Sequence, residues 1–308
     1  MPTTQQEHHC RHPKEGISTL HPDQQPVLDK GTLYVVATPI GNLQDITLRA
    51  LDTLRKVDLI AAEDTRNSAR LLQHFGIAAR MQALHEHNEK SATELLIKQL
   101  SEGKSIALIS DAGTPAISDP GAYLVNEVRR RGYRVCPIPG PSAVATALSA
   151  SGDLNSHYLF YGFLPPKHSA RGKVLEQLAP LPYTLVFYEA PHRVMETVKD
   201  LSDTFGQERN ITFCRELTKL FETIHTCPLS QAEEWLEEDS NRLKGEFVLL
   251  VDGQIETTSS DKENEETRLL EILLAELPLK QAVKLAVEIS GGKKNRLYDL
   301  ALSMQKQH

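Results

Sequence analysis

A short apolar strand that ends in a loop rich in proline and glycine limits the possible folds of this chain more than any other feature. Residues Ile106–Ile109 are apolar and stop abruptly at Ser110 and Asp111, as in a buried strand that runs into a loop. Gly113 permits a positive φ and the close approach of a ligand. Asp111 puts a carboxylate at the carboxyl end of a strand, where open α/β sheets bind ligands. A structural turn explains this one stretch equally well, because turns favour the same residue types.

Two further loops have the same composition and also follow apolar strands. Residues 37–42 read Ala-Thr-Pro-Ile-Gly-Asn after the predicted strand Leu33–Ala37, and residues 137–142 read Pro-Ile-Pro-Gly-Pro-Ser at the end of the predicted strand Arg134–Ile138. One ligand-binding crevice explains three such loops better than three unrelated turns do. Strands and helices alternate here, with another strand predicted at Leu59–Ala62, so the sequence predicts a mostly parallel sheet.

Nucleotide and metal motifs give no competing assignment. Glu63 follows Gly41 by 22 positions, which imitates the dinucleotide fingerprint. That fingerprint needs three glycines and this loop has one, so NAD binding is rejected. The histidines of the first twelve residues and the pair His85 and His87 lack the further ligands of a metal centre, and no metal is predicted.

With 308 residues, the chain is long enough for two globular domains and a small appendage. The net charge of −7 argues against a surface coated for non-specific nucleic-acid binding, although a local basic site remains compatible with it. No apolar run reaches the roughly 18–20 residues that cross a bilayer. The N-terminus lacks the apolar stretch of a secretory signal, and the four cysteines show no paired spacing, so a reducing, cytoplasmic location is expected.

The pattern divides the chain into five segments. The boundary between the two larger domains is predicted at the break Ser151–Ser156. The segments are a polar tail (1–30), a first α/β domain (31–152), a second α/β domain (153–253), a linker (254–265) and a helical C-terminal domain (266–308). Strands of the second domain are predicted near 157–162, 183–188, 210–214 and 246–251, and C-terminal helices near 266–276, 279–289 and 294–305.

The C-terminal domain concentrates positive charge. From Pro278 to His308 there are six lysines and arginines against two acids, giving +4. Two helices around Gly291-Gly292 are typical of a helix-turn-helix presented to a phosphate backbone, and a basic dimerisation or packing helix is the alternative. The candidate RNA-binding residues of this domain are Lys280, Lys284, Lys293, Lys294 and Arg296.

The sequence motifs of the loops resemble those of a known family. ATPIGNLQDIT, AEDTRNSARLLQHFGI, HEHNE, ISDAGTPAISDPG, PIPGPSA, FYEAPHR and RELTK, in this order and with a basic three-helix tail, are similar to the tetrapyrrole methylase superfamily. Within it they are closest to the bacterial 16S rRNA cytidine-2′-O-methyltransferases. The similarity runs from about Gly31 to the C-terminus.

This resemblance implies a tetrapyrrole-methylase-like fold of two α/β domains with a small helix-turn-helix-like C-terminal domain. It implies S-adenosylmethionine as cofactor, bound in a cleft between two α/β domains, and a homodimer that acts on 16S rRNA of the 30S subunit, at the ribose of cytidine 1402. The cofactor-binding residues that it implies are Pro39, Ile40, Gly41, Asn42, Asp111, Ala112, Gly113, Pro115, Pro139, Gly140, Ser142, Ala143 and Gly245.

The residue types agree with that chemistry. A carboxylate such as Asp111 can approach a sulfonium or ammonium cation, and a ribose hydroxyl gains from a base or from a cation that lowers its pKa. The candidate bases are Asp64, Glu189 and His192. The candidate phosphate or alkoxide partners are Arg66, Arg193, Arg215 and Lys219, each of which a salt bridge at the domain interface explains equally well.

Two other functions compete. A methylase of a precorrin-type tetrapyrrole or another small molecule would share the fold, but it has no use for a basic three-helix appendage. A ligand-sensing helix-turn-helix regulator would need sequence-reading side chains in the tail. The lysine-rich helix suggests contact with phosphates instead.

Overall fold

A computed structural model of the chain describes residues 28–254 and 259–305, with side chains described from Glu266 to Met304 in the second range. The predicted tail falls largely outside these residues. The chain forms two compact units that divide between Ser142 and Ala143, ten residues before the predicted boundary. The helix that follows this division, Ala143–Ala150, contacts the strand Phe247–Val251 of the second unit and therefore belongs to it.

The first unit is built on a five-stranded sheet whose neighbouring strands are all parallel, as the alternation of elements predicted. The strands are β1 (Thr32–Val36), β2 (Leu59–Ala62), β3 (Met81–Ala83), β4 (Ile106–Ile109) and β5 (Arg134–Ile138), in the order β3-β2-β4-β1-β5. The helices are α1 (Leu48–Lys56), α2 (Thr65–His74), α3 (Glu89–Ser101) and α4 (Ala122–Arg130).

Helices cover both faces of this sheet. Leu54 of α1 and Leu72 of α2 pack in the apolar cluster of one face. Leu96 of α3 and Val128 of α4 pack in the cluster of the other face. Because both faces are covered, β2 and β4 are buried along their whole length, which is why their sequences are continuous apolar runs.

The second unit contains a mixed five-stranded sheet. Its strands are β6 (Tyr158–Phe163), β7 (Thr184–Glu189), β8 (Asn210–Arg215), β9 (Thr223–Pro228) and β10 (Phe247–Val251), and its helices are α5 (Ala143–Ala150), α6 (His168–Leu178), α7 (Val194–Phe205) and α8 (Leu229–Glu237). The order is β6-β7-β10-β8-β9, with β6 and β7 parallel and the other pairs antiparallel. Leu175 of α6, Val198 of α7 and Leu236 of α8 pack in the core cluster that covers one face.

The C-terminal helices are α9 (Ser259–Glu276), α10 (Leu279–Ser290) and α11 (Lys294–Gln305). They share an apolar cluster of their own, which includes Leu270, Val283 and Leu297. The predicted linker is shorter than expected because α9 begins at Ser259. Its first turns lack apolar residues and so gave no periodic signal, yet serine and acidic residues favour a helix N-terminus.

Candidate functional site

The first sheet has a topological switch point between β1 and β4. These strands are neighbours, but the chain leaves β1 toward β2 and leaves β4 toward β5, on the opposite side. The helices that follow them, α1 and α4, also lie on opposite faces. Ligands of open α/β sheets bind at the carboxyl ends of such strands, and the loops 37–42 and 110–121 begin there.

Hydrogen bonds join the three predicted loops within the first unit. The N–H of Thr38 donates to the carbonyl of Gly113 at 2.8 Å, and the N–H of Gly113 donates to the carbonyl of Thr38 at 3.0 Å. The Thr114 hydroxyl donates to the carbonyl of Pro141 at 3.1 Å. The structure therefore brings together the loops that the sequence assigned to one crevice.

Two glycines allow these loops to pack closely on the strands β1 and β4. A Cβ at Gly140 would lie 3.0 Å from the Cβ of Ala37, so the third loop packs directly on the end of β1. Gly121 has φ +122°, and a Cβ there would lie 2.6 Å from Cδ2 of Leu108. A larger residue at Gly121 would meet both a strained backbone and a buried side chain.

The loop 110–121 holds strained backbone. Ala116 and Ser118 have φ of 66° and 63°, in the left-handed region that costs a residue other than glycine about 1–3 kcal/mol. The end of the loop is anchored by Glu89, whose Oε1 accepts from the N–H groups of Gly121 at 2.8 Å and Tyr123 at 3.2 Å. Strain of this kind, held by surrounding contacts, is typical of ligand-binding loops.

Asp111 lies exposed at this edge with its carboxylate oriented by neighbours. Its Oδ1 accepts from the N–H of Asp64 at 3.2 Å, and its Oδ2 accepts from the side-chain amide of Asn67 at 2.9 Å. The N–H of Asp111 donates to Oε2 of Glu63 at 3.3 Å. The carboxylate is thus held at the carboxyl edge of β4, as the sequence predicted.

Two carboxylates beside Asp111 were not among the predicted site residues. Burial raises the pKa of Asp119 to about 6, and the charges of Glu63 and Asp111 act in the same direction. Burial also raises the pKa of Glu63. The three side chains concentrate negative charge where a cation would be attracted. Glu63 could have been found from its position at the end of β2, next to the other strand-end loops.

Asp64 and Arg66 form a salt bridge with each other. Nη2 of Arg66 lies 2.8 Å from Oδ2 of Asp64, and Nε donates to Oδ1 at 3.1 Å. Hydrogen bonds from Arg66 lower the pKa of Asp64 to about 2. A carboxylate with so low a pKa is a weak base at neutral pH. The geometry favours the salt-bridge interpretation of both residues over a catalytic one.

Glu189 is buried at the end of β7 and both of its oxygens are engaged. Oε1 accepts from the N–H of Ala190 at 2.8 Å, Oε2 accepts from the Thr197 hydroxyl at 2.6 Å, and Nε of Arg193 lies 3.3 Å from Oε1. Nη2 of Arg193 donates in turn to the carbonyl of Leu164 at 2.7 Å. These contacts favour a positioning role for Glu189 and Arg193. The neighbouring His192 is exposed.

Arg215 is directed into the second unit. It is 8% exposed, and its guanidinium donates to the carbonyls of Lys244 at 3.1 Å and Phe221 at 3.2 Å. Arg215 therefore holds two loops in place. A direct contact with phosphate would compete with these hydrogen bonds.

Lys219 and Gly245 belong to one charged cluster. Nζ of Lys219 donates to Oε1 of Glu216 at 2.8 Å and to Oε2 of Glu246 at 3.0 Å. Gly245 has φ +91°, and a Cβ there would lie 2.5 Å from the Glu216 side chain. Glu216 and Thr218 also have positive φ. The contact with Glu216 and the positive φ explain why residue 245 is a glycine, without reference to any cofactor.

The other predicted cofactor residues divide by exposure. Pro39 and Ile40 are buried at the start of the first loop, while Gly41 and Asn42 are exposed and the Asn42 side chain accepts from the N–H of Gln44 at 3.0 Å. The remaining ones are Ala112, Pro139 and Gly140, which are exposed, Pro115, which is buried, Ser142, which is half-buried, and Ala143, which begins α5.

The predicted RNA-binding residues of the C-terminal helices differ in their contacts. Lys280, Lys293 and Lys294 are exposed. Lys284 is also exposed and lies 3.9 Å from Glu288. Arg296 pairs with Glu266, whose side chain is 8% exposed. Arg296 thus joins α11 to α9, and four lysines remain as the stronger candidates for phosphate contact.

Within residues 28–254 and 259–305, no group of three or more histidine, cysteine, aspartate or glutamate side chains is arranged to hold a metal ion. No helix in this part of the chain is both long and apolar enough to span a membrane.

Comparison with known proteins identifies the family. Residues 32–233 match the Tetrapyrrole (Corrin/Porphyrin) Methylases, and residues 260–305 match the RsmI C-terminal HTH domain. The first match spans more than half of the chain, which therefore belongs to the tetrapyrrole methylase family. The predicted fold class, two α/β domains of this family with a C-terminal helical domain, is confirmed.

Within the family, the similar proteins include several called Ribosomal RNA small subunit methyltransferase I. The protein of Escherichia coli O157:H7 is 51% identical over 276 residues, which cover 90% of this chain and 96% of the relative. That of Pseudomonas aeruginosa is 51% identical over 279 residues, covering 90% and 99%. The crystal structure of uroporphyrin-III-C-methyltransferase from Thermus thermophilus has the same fold, with a TM-score of 0.52, 21% identity and coverage of 73% of this chain and 95% of that chain.

Proposed function

We propose that this protein transfers a methyl group from S-adenosylmethionine to the ribose 2′-hydroxyl of a cytidine in 16S rRNA, position 1402 being the expected one. The observation that carries the proposal is the similarity over 90% of the chain to proteins named Ribosomal RNA small subunit methyltransferase I. This similarity is supported by the match of residues 260–305 to the C-terminal domain type named for that family. A tetrapyrrole substrate would leave that domain unexplained, and a regulator would need sequence-reading side chains, whereas the lysine-rich helix suggests contact with phosphates.

The residues at the switch point fit the cofactor, which is the methyl donor of this family. When bound, S-adenosylmethionine supplies an electrophilic methyl group on a sulfonium cation. Asp111, with Glu63 and Asp119 beside it, offers negative charge to a cation or to an ammonium group. The joined loops at Thr38, Gly113 and Pro141 present backbone amides and carbonyls in a fixed arrangement.

The chain must also orient the ribose hydroxyl and accept its proton. Of the three predicted bases, Asp64 is paired with Arg66 and Glu189 is buried among donors. His192 is exposed just after the end of β7, and an imidazole is the side chain that most often acts as a general base. We therefore assign proton acceptance to His192 and a positioning role to Glu189. Methyl transfer depends mainly on the in-line alignment of the hydroxyl with the methyl group. Positioning of the two reactants therefore supplies much of the rate acceleration.

The substrate and assembly follow from the same family resemblance. We propose that 16S rRNA within the 30S subunit is the substrate, that the protein acts in the cytoplasm where ribosomes are assembled, and that it works as a homodimer. The exposed lysines of α10 and α11, Lys280, Lys284, Lys293 and Lys294, support contact with an RNA backbone.

The test is methylation of defined substrates by the purified full-length protein. We expect methyl transfer to 30S subunits from a strain that lacks this modification, at one cytidine ribose, mapped by primer extension at low nucleotide concentration. Naked 16S rRNA and uroporphyrinogen III serve as competing substrates. Methylation of the tetrapyrrole with none on either RNA would overturn the proposal.

A further inference from the structure

A second basic segment lies in the second unit and runs from the last residue of β6, through the connection, into the first turns of α6. Residues 163–173 read Phe-Leu-Pro-Pro-Lys-His-Ser-Ala-Arg-Gly-Lys and contain three lysines or arginines, one histidine and no acid. Arg171 is buried and paired with Asp200, so the exposed positive charge of the segment comes from Lys167 and Lys173. Neither the cofactor loops nor the C-terminal helices include it.

Two arginines hold the backbone of this connection. Arg193 donates to the carbonyl of Leu164 at 2.7 Å, and Arg171 donates to that of Pro166 at 3.4 Å. Arg171 is 1% exposed, and its Nε donates to Oδ2 of Asp200 at 2.5 Å. Because each arginine is also paired with a carboxylate, the connection is fixed before any partner binds, which lowers the ordering cost of binding.

A lysine and a histidine lie at the outside of this fixed connection. Lys167 is exposed. The side chain of His168 is 80% exposed, and its Nδ1 lies 2.8 Å from Oδ1 of Asp200. A carboxylate accepts, so Nδ1–H donates to it, and this hydrogen bond sets the ring orientation with Nε2 directed away from Asp200.

An aromatic side chain precedes the connection at the end of the edge strand β6. Phe163 is 51% exposed, with its ring centroid 5.5 Å from that of Tyr188. Tyr188 also contacts Phe160, at 5.0 Å, so the exposed ring is supported from one side. Exposed aromatic rings beside cations are typical of surfaces that bind single-stranded RNA, where bases stack on the rings.

We infer that the segment Phe163–Lys167 binds a single-stranded stretch of the substrate RNA, with Lys167 at a phosphate and Phe163 against a base. The inference deepens the proposed function and rests on it. A second copy of this chain fits the surface less well, because lysine is depleted at the centre of protein–protein interfaces. Charge complementarity with a phosphate backbone favours RNA.

The test compares Lys167→Ala, Phe163→Ala and a control, Lys199→Ala, in the full-length protein. Lys199 is an exposed lysine of α7, 3.4 Å from Glu233, outside the segment. Affinity for 16S rRNA is measured over a salt series. Lys167→Ala should reduce the salt slope by roughly 0.7–0.9, and Phe163→Ala should weaken binding about 5- to 150-fold at an unchanged slope. Lys199→Ala should leave both near wild type.

Affinity for S-adenosylmethionine should stay at the wild-type value in all three variants. RNA affinities of Lys167→Ala and Phe163→Ala equal to that of the control would overturn the inference, while wild-type methylation of 30S subunits would leave the proposed function standing. A change in sedimentation of Phe163→Ala with unchanged RNA affinity would assign the surface to a second copy instead. A wild-type protein that neither binds nor methylates rRNA would remove the proposed function and this inference together.

Discussion

Thr38 and Gly113 exchange two backbone hydrogen bonds, and this pair joins the ends of β1 and β4 across the switch point of the first sheet. The Thr38 hydroxyl adds a third link, because it donates to the carbonyl of Ser110 at 3.1 Å. Thr38 is fully buried. The loops that would meet the cofactor are thus held by their own contacts, and such preorganisation lowers the cost of binding.

The first prediction concerns the carboxylate at this edge. Asp111→Ala should weaken binding of S-adenosylmethionine about tenfold or more, equivalent to roughly 1.4 kcal/mol, because it removes a negative charge near the cation. Isothermal titration calorimetry measures the change. Asp52→Ala is the control, since Asp52 lies on α1 and pairs with Lys56 at 2.7 Å. Equal affinities of wild type and Asp111→Ala would move the cofactor to another part of the chain.

The second prediction concerns the glycine at the end of the loop 110–121. Gly121→Ala should lower the free energy of unfolding by about 1–3 kcal/mol, because φ is +122° and the new Cβ would press on Leu108. Gly172→Ala is the matched control, as Gly172 lies in α6 with nothing within 4 Å of a new Cβ. It should be neutral or stabilising by about 0.5–1 kcal/mol. Equal losses in urea unfolding of the two variants would contradict this account.

Much of the architecture could be predicted because burial leaves a direct pattern. β2 and β4, buried on both faces, are continuous apolar runs whose predicted bounds agree with the structure. β3 and β9 were not predicted. β3 has three half-buried residues, and β9 is an edge strand that mixes polar and apolar side chains, so neither contains a clear period.

The roles of charged residues could not be predicted because they depend on partners distant in sequence. Arg215 donates to the carbonyl of Lys244, 29 positions away, and Arg193 to that of Leu164, also 29 positions away. Residue type alone does not distinguish an arginine that binds phosphate from an arginine that holds a loop. The cofactor loops were easier to predict, since proline and glycine at strand ends act through the backbone.

The third prediction separates two basic residues of α11. Arg296→Ala should destabilise the C-terminal helices by about 2–3 kcal/mol, because it leaves Glu266 buried without its partner. Lys294 is exposed, so Lys294→Ala should leave the unfolding transition unchanged and reduce the salt slope of rRNA binding by roughly 0.7–0.9. Thermal unfolding and a salt series make the comparison. A stable Arg296→Ala protein with the same loss of slope would restore Arg296 as a phosphate contact.

The fourth prediction uses the pKa of Asp119, which burial raises from the ordinary 3.8 to about 6. Burial disfavours the ionised form, so this group's contribution to stability is present below about pH 4 and is lost as the pH rises through about 6. Asp119→Asn imitates the protonated form. The variant should match wild type near pH 4 and exceed it by on the order of 1 kcal/mol near pH 8, after discounting for partial exposure.

Urea unfolding at about pH 4, 5, 6, 7 and 8 tests this dependence. Asp52→Asn is the control for the substitution itself, because Asp52 lies on α1, outside the loop 110–121, and pairs with Lys56 at 2.7 Å. A constant difference between Asp119→Asn and wild type at every pH would show that the asparagine acts through packing and not through titration.

The last prediction distinguishes His192, the assigned base, from Glu189, which holds the neighbouring Ala190 and Arg193. Glu189→Gln should lower the free energy of unfolding by about 3 kcal/mol, since it leaves Arg193 charged and half-buried without its carboxylate. His192→Ala should unfold as wild type does, because the side chain is exposed. It should slow single-turnover methyl transfer about 100-fold or more. Affinities for S-adenosylmethionine and rRNA should be retained, as expected for an interaction made only in the transition state.

A stable Glu189→Gln protein with slow chemistry would make Glu189 the base. Full single-turnover rates in both variants would leave Asp64, whose pKa of about 2 then requires that RNA binding displace Arg66.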